Sequence, residues 1–316
     1  MRGRVAQFSA VRGDGARRRL GLTFRGGLVA YLFVLPSIVF IVVFIILPIL
    51  AALYYSFTTY DLLTAPKLTG IDNYRALGSE PRFPPAVRNT LLFALGTVPT
   101  GVLISLLLAV LINRSIVGIV FFRAMFYMPV VSSFAAVSII FLWLYEPQVG
   151  IIGKFMQSLG MAPIRWVIDP DTALLSIILM SVWKNLGLNM VLYLAGLQSI
   201  PPHLYEAADI DGAGRLQKLL RITLPLLAPP TYFVVIVYFI GALQMYTQVL
   251  FMTCDYETNI CGGPVDSTIT IVMLIYLEAF AALKMGFAAA LSFALFAVIG
   301  IVTAVNARLL SYDIGY

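Results

Sequence analysis

The chain has 316 residues, 60% hydrophobic and 11% charged, with a formal net charge of +6. A soluble domain averages roughly 45–50% apolar and about 25% charged, so the apolar excess here has no water-shielded core of this size to enter. The positive charge does not suggest a nucleic-acid binder either, because seven arginines lie in the first 25 residues, and such clusters flank membrane helices on the cytoplasmic side.

The tail, residues 1–27, is rich in Arg and holds one acid, Asp14. It reads as a cytoplasmic anchor, since the apolar run that follows is far longer than the roughly 7–15 residues of a signal-peptide core. The first span is expected over Leu28–Phe57, with kinks at Pro36 and Pro48, because each proline removes a backbone donor. At 1.5 Å per residue it would be about 45 Å long and would project beyond a hydrocarbon layer of about 30 Å. A polar loop, Thr58–Asn89, precedes a second span over Thr90–Ile112. Asn113, Arg114 and Arg123 bracket a turn before the third span, Ala124–Leu144. The next polar stretch, Tyr145–Asp171, has room for a short helix near Ile151–Leu159. A fourth span covers Thr172–Leu197.

Residues 198–225 are different in character, with Glu206, Asp209, Asp211, Arg215, Lys218 and Arg221. The fifth span is expected over Leu226–Phe251. The loop Met252–Asp266 holds both cysteines and the turn signal Gly262-Gly263-Pro264. The last apolar stretch, Ser267–Leu310, would be about 65 Å long as one helix, too long for a single crossing. Lys284 and Gly286 mark a break, with Thr268–Leu283 interfacial or partly re-entrant and Met285–Leu309 the sixth span. The expected architecture is thus all-α: a polytopic membrane protein with six spans in a membrane domain over 28–310, a loop at 198–225 and a short cytoplasmic tail, 311–316. With the N-terminus inside, thirteen Lys and Arg fall on the cytoplasmic side and seven outside, which favours both termini inside. Cys254 and Cys261 then lie in the outer compartment, where a disulfide is chemically allowed; two free thiols fit the sequence equally well. One histidine, His203, and no clustered acids argue against an intramembrane enzyme or a metal site.

The densest segment is Ile200–Pro225. Pro201 and Pro202 suit the first turn of a short helix. Tyr205 and Ala208 give it an apolar face, and Gly212 and Gly214 break it. Leu216, Leu219 and Leu220 then begin a second apolar face at helical spacing. Small residues at Ala207, Ala208, Gly212 and Ala213 permit close approach by another backbone. An ordinary amphipathic loop lying on the membrane would share most of these features.

The Glu206-Ala207-Ala208 triplet, the Asp211–Gly214 sequence DGAG and the closing ITLP of Ile222–Pro225 resemble the EAA loop of binding-protein-dependent ABC importer permeases. LAGLQSIP (Leu194–Pro201), GGP (Gly262–Pro264), MGFAAALS (Met285–Ser292) and GIDNYRAL (Gly70–Leu77) agree with that resemblance. It covers about Leu28 to Leu310 and is closest to the maltose-type sugar permease family, in the first-permease (MalF-like) subgroup. The resemblance implies a second homologous permease subunit, two ATPase subunits and an extracytoplasmic solute-binding protein, in a bacterial plasma membrane. ATP and Mg would sit on the ATPase subunits, with no cofactor on this chain and no nucleic acid among its partners. The absence of a GxxxxGK[ST] pattern fits that division. Glu206, Ala207, Ala208, Asp211 and Gly212 would be the ATPase-coupling residues. The short Thr58–Asn89 loop lacks the large outer insert of some maltose permeases, which argues against maltose itself.

Polar side chains at membrane depth are costly and are candidates for function. The fourth span offers Trp183, Lys184, Asn185 and Asn189. The fifth offers Tyr238, Gln244, Tyr246 and Gln248, with Gln244 and Gln248 on one helical face. The third offers Ser132 and Ser133. The resemblance places solute contacts near Trp183, Leu186 and Gly187. Amides for hydroxyls and aromatic rings for sugar faces suit a carbohydrate, though Asn and Gln also bond helix to helix. Lys184 leaves an anionic solute of glycerol-phosphate type open, and a structural pairing of Lys184 with an acid or with backbone carbonyls fits the sequence equally well. An ion-coupled secondary transporter is less well served, because no Asp or Glu lies in the first five spans.

Overall fold

The computed structural model describes residues 24–113, 118–254 and 261–309. Arg114, the tail before Phe24 and the tail after Leu309 lie outside the described residues. Residues 24–27, expected in the basic tail, are already helical. The chain divides into two units, 1–51 and 52–316.

In the first unit the chain forms α1 (Phe24–Ile41), a π turn (Val42–Ile46) and the start of α2 (Leu47–Ser56). Leu47 N–H bonds back five residues to Val42 O. The widened turn comes just ahead of Pro48, whose ring would otherwise crowd the carbonyl four residues before it. One of the two expected kink sites thus has a structural mark, while Pro36 lies within α1.

In the second unit, β1 (Thr58–Thr59) pairs antiparallel with β2 (Lys67–Leu68). Asp61 Oδ1 accepts the Leu63 and Thr64 amides and the Thr64 hydroxyl inside this hairpin. The Thr64 bonds hold the Asp61 carboxyl below its usual range. After α3 (Asp72–Leu77), α4 runs Phe83–Ile112. It starts seven residues before the expected Thr90, because Pro84 and Pro85 open the helix and do not prolong the loop.

The expected third span is two helices, α5 (Ile119–Val131) and α6 (Phe134–Tyr145), bent by 102°. Ser132 and Ser133 are extended between them, and the Ser133 hydroxyl accepts the Ala136 amide at 3.2 Å. That N-cap bond favours a fresh helix start over continuation. The short helix α7 (Ile151–Ser158) falls where expected. Helix α8 spans Pro170–Gln198 without a break, its start capped by Asp169.

Next come α9 (Pro202–Ile210) and α10 (Arg215–Lys218), a π turn (Leu219–Thr223) and α11 (Leu224–Leu226). α12 (Ala228–Leu243) leaves this stretch at a bend of 62°. Pro225, expected to end the second short helix, lies inside α11, and the direction changes at Leu227. The fifth span is also broken: Gln244 to Tyr246 are non-helical before α13 (Thr247–Thr253). α14 (Ile271–Tyr276), a π turn (Leu277–Ala281) and α15 (Met285–Leu309) complete the chain. The expected break near Lys284 is present, with Leu283 at φ 55°.

Among the described residues four helices are long and apolar enough to cross a membrane, and six spans result if each bent pair counts as one. Lipid is as apolar as leucine, so close packing and hydrogen bonds hold the helices of the second unit together. Two buried clusters result. One joins α4, α8, α12, α13, α14 and α15 through Phe93, Ile177, Leu243, Val249, Leu274 and Leu291. The other joins α4, α8 and α12 through Ala109, Met190, Tyr193 and Val234, nearer to α9.

Candidate functional site: a polar cavity and a helix-break-helix segment

A cavity of about 300 Å³ lies between α8, α12 and the break before α13. Ser181, Asn185 and Asn189 line it from α8. Their i, i+4, i+8 spacing puts all three on one helical face, with Leu188 and Leu192 beside them. Asn185 Nδ2 donates to Ser181 O at 2.8 Å. Among the described residues Asn189 Nδ2 and Ser181 Oγ are buried without a protein partner, so they are polar groups with hydrogen-bonding capacity to spare. Tyr238 comes from α12, Gln244 and Tyr246 from the break, and Gln248 from α13. Phe93 and Phe134 close two sides with aromatic rings. Among the described residues no Asp, Glu, Lys or Arg lines this cavity.

The break brings Gln244 and Gln248 to the same cavity by a route different from the one expected. They do not share a continuous helix, since Tyr246 sits at φ −144°, ψ −56° between them. The Thr270 hydroxyl supports this irregular backbone by donating to Met245 O at 2.9 Å and accepting the Met273 amide at 3.3 Å. The Tyr246 ring lies tilted against Tyr276, with centroids 5.1 Å apart.

Asn185, Asn189, Tyr238, Gln244, Tyr246 and Gln248 are therefore gathered in one place. Trp183, Lys184, Leu186, Gly187 and Ser133 are not among the lining residues. Trp183 is 45% exposed and lies against Phe141 with ring centroids 5.3 Å apart. Gly187 meets α5 so closely that a Cβ there would lie 2.1 Å from Phe126 O. Lys184 is buried, with Nζ 3.2 Å from Pro129 O and 4.3 Å from the centroid of the Phe134 ring. Sequence reasoning missed Ser181 and Phe134. The four-residue step back from Asn185 would have found Ser181; nothing in the apolar run around Phe134 marked it.

The segment after α8 is built by local rules. Pro202 opens α9, and Gly212 ends it at φ 72°. Ala213 N–H bonds to Ala208 O and Gly212 N–H to Asp209 O, a Schellman stop that requires a left-handed residue at Gly212. No neighbour lies within 4 Å of a Cβ built at Gly212, so within this chain the glycine serves the turn and not a close approach. Tyr205 Oη and Thr223 Oγ1 are 3.0 Å apart, and Lys218 pairs with Asp209, so α9 is held against the following helix. Ala208 is buried by this packing, while Glu206, Ala207, Asp211 and Gly212 are exposed. Ile210 is 88% exposed at the tip.

At the other end of α4, a polar clamp joins distant parts of the chain. Arg82 Nε donates to Asp266 Oδ1 at 3.1 Å and Arg82 Nη2 to Cys261 O at 2.8 Å. Asn89 Nδ2 donates to Asp266 O and Ile269 O at 2.8 and 3.0 Å. Cys254 and Cys261 are joined by a disulfide beside this clamp. Lys284 pairs with the largely buried Glu278 at 3.2 Å.

Residues 101–311 match the family described as the binding-protein-dependent transport system inner membrane component. Over 296 residues the chain is 32% identical to the probable ABC transporter permease protein YesP of Bacillus subtilis, covering 92% of this chain and 93% of that one. It is 31% identical to the sn-glycerol-3-phosphate transport system permease protein UgpA of Pectobacterium atrosepticum, covering 93% and 97%. It is 32% identical to the arabinooligosaccharides transport system permease protein AraP of Bacillus subtilis, covering 88% and 87%. A solved bacterial ABC transporter for import of the acidic polysaccharide alginate superposes with a TM-score of 0.78 at 22% identity, over 93% of this chain and 100% of that one.

Proposed function

The chain belongs to the family of binding-protein-dependent transport system inner membrane components, and on that premise we propose that it forms part of the passage for a neutral carbohydrate delivered by an extracytoplasmic solute-binding protein. It is the multi-pass permease component of an ABC importer for carbohydrate-type solutes and not the ATPase. Family membership replaces the ion-coupled alternative. In the proposed assembly a second homologous permease and two ATPase subunits complete the machine, ATP and Mg reside on the ATPases, and both termini are cytoplasmic.

The observation that carries the solute reading is the uncharged cavity with amides on three sides and two aromatic rings. Hydroxyl groups of a sugar would meet Asn185, Asn189, Gln244 and Gln248, and an apolar sugar face would meet Phe93 or Phe134. Asn189 Nδ2 and Ser181 Oγ supply hydrogen-bonding capacity that the protein leaves unused. A glycerol-phosphate solute is the second reading, favoured by the similarity to UgpA. The cavity speaks against it, because no cation lines it.

Coupling is assigned to α9 and its stop. Glu206 is exposed and makes no ion pair among the described residues, so its carboxylate is available to a basic group on an ATPase subunit. The bonds from Tyr205 and Lys218 tie α9 to α10 and the π turn after it, which lead through the bend at Leu227 into α12. A push on α9 would therefore move the cavity wall as part of a rigid body. The test is ATPase activity and uptake by the reconstituted complex, with loaded binding protein and a panel including neutral sugars and sn-glycerol-3-phosphate. A neutral sugar should stimulate both activities, and Glu206→Ala should abolish the stimulation while leaving the complex assembled. Stimulation by sn-glycerol-3-phosphate alone would decide for the second reading, and an unaffected Glu206→Ala would remove Glu206 from the coupling role.

A further inference from the structure

The bend between α5 and α6 leaves backbone carbonyls at membrane depth without the amides that a continuous helix would provide. Pro129 O would bond Ser133 N–H in an unbroken helix, but Ser133 is extended and starts α6. A span tolerates such a carbonyl only where something else satisfies it. Lys184, 5% exposed and in the middle of α8, is placed to do so, with Nζ 3.2 Å from Pro129 O. The close contact of Gly187 with Phe126 O, one turn along both helices, brings α8 near enough for Lys184 to reach. The C-terminal end of α5 carries partial negative charge, which favours a cation there. The face of Phe134, 4.3 Å from Nζ, supplies a second attraction. Among the described residues no carboxylate lies within ion-pair distance of Lys184.

We propose that Lys184 is a positioning residue: it caps the broken end of α5 from the neighbouring helix and, through Phe134, fixes one wall of the polar cavity, so that its charge serves the protein's own backbone and does not select the solute. The capping stands on geometry alone. The statement about selection rests on the cavity being the solute passage.

Amide hydrogen exchange over residues 128–138, measured by mass spectrometry on the assembled complex in lipid nanodiscs, tests the cap. Lys184→Met keeps the length of the side chain and removes its donor and charge. Exchange at 132–136 should rise about tenfold, the size expected for loss of one charge-assisted hydrogen bond, with α9 unchanged. Lys184→Arg should restore slow exchange. Unchanged exchange in Lys184→Met, or no rescue by Lys184→Arg, overturns the proposal. If Lys184→Met does not assemble, Lys184→Gln replaces it. Its neutral donor should permit assembly with intermediate exchange, and failure of both the Gln and Arg variants to assemble overturns the cap. Uptake of a neutral and a carboxylate-bearing disaccharide gives the second arm. Both rates should fall together in Lys184→Met with their ratio unchanged, whereas a several-fold change in ratio shows that the cation reads the solute. If the wild type takes up neither sugar, the solute reading fails and the exchange arm still decides the cap.

Discussion

Two apolar stretches of this protein are broken, α5–α6 and α12–α13, and the two breaks are closed by different chemistry. At Ser132–Ser133 the freed Pro129 carbonyl receives a buried cation from α8. At Gln244–Tyr246 the freed Met245 carbonyl receives a neutral hydroxyl, Thr270, which itself caps α14. Each break sends side chains into the same cavity, Phe134 from one and Gln244 and Tyr246 from the other. The unbroken α8 supplies the amide face between them. Irregular backbone inside a membrane is thus paired with a donor on an adjacent regular helix or cap, and the same irregularity exposes the polar groups that a solute would meet.

The largest effect is expected from Gly187→Ala. A Cβ 2.1 Å from Phe126 O meets backbone, which cannot swing aside, so α5 and α8 must separate. Overpacking of this kind costs roughly 1–3 kcal/mol or more. It would also draw Pro129 away from Lys184, and the yield of assembled complex and its melting temperature should both drop. Next comes Thr270→Val, which leaves Met245 O and Met273 N–H unpaired in a buried place. We expect a loss of about 1–3 kcal/mol, read as a lower denaturation midpoint, with Thr270→Ser near wild type. If Thr270→Val were silent while Lys184→Met was not, the two breaks would not be equivalent devices.

Helical periods and composition made α4, α8 and α15 legible to within a few residues at most ends. The start of α4 was misplaced because Pro84-Pro85 serves equally as loop or as first turn. The breaks were not legible. The apolar runs around Ser132 and Met245 carry no glycine or proline at the break itself, and what stabilises each non-helical stretch is a side chain distant in sequence, 55 residues away for Lys184 and 25 for Thr270. Lys184 was visible as an intramembrane cation with an acid or a carbonyl as its expected structural partner, but which carbonyl was not legible, since a broken helix end leaves no trace in a sequence. The α9 segment was easier to read because Pro202, Gly212 and Gly214 punctuate it locally. Even there, the bond between Tyr205 and Thr223 needed the fold.

Away from both breaks, smaller changes sharpen the contrast. Tyr205→Phe removes one hydroxyl pair and should cost about 1 kcal/mol, loosening α9 without touching the cavity. Its signature would be weaker solute-stimulated ATPase activity with unchanged solute affinity. Asp209→Asn breaks a pair whose carboxylate side is 65% exposed and should change stability by less than about 1 kcal/mol. A larger stability loss there would mean that α9 is held more tightly than either membrane break.

The clamp at the start of α4 sets a waiting time during synthesis. Arg82 and Asn89 bond to residues 184 and 177–180 positions later in the chain. At roughly 5–20 residues per second of elongation, these side chains leave the ribosome about 10–40 s before their partners exist. Through that interval α4 carries an unpaired guanidinium and an unpaired amide near one of its ends. The insertion machinery or a lipid headgroup must shelter them, and a slowdown in translating the last third of the message would lengthen the exposure without altering a single residue.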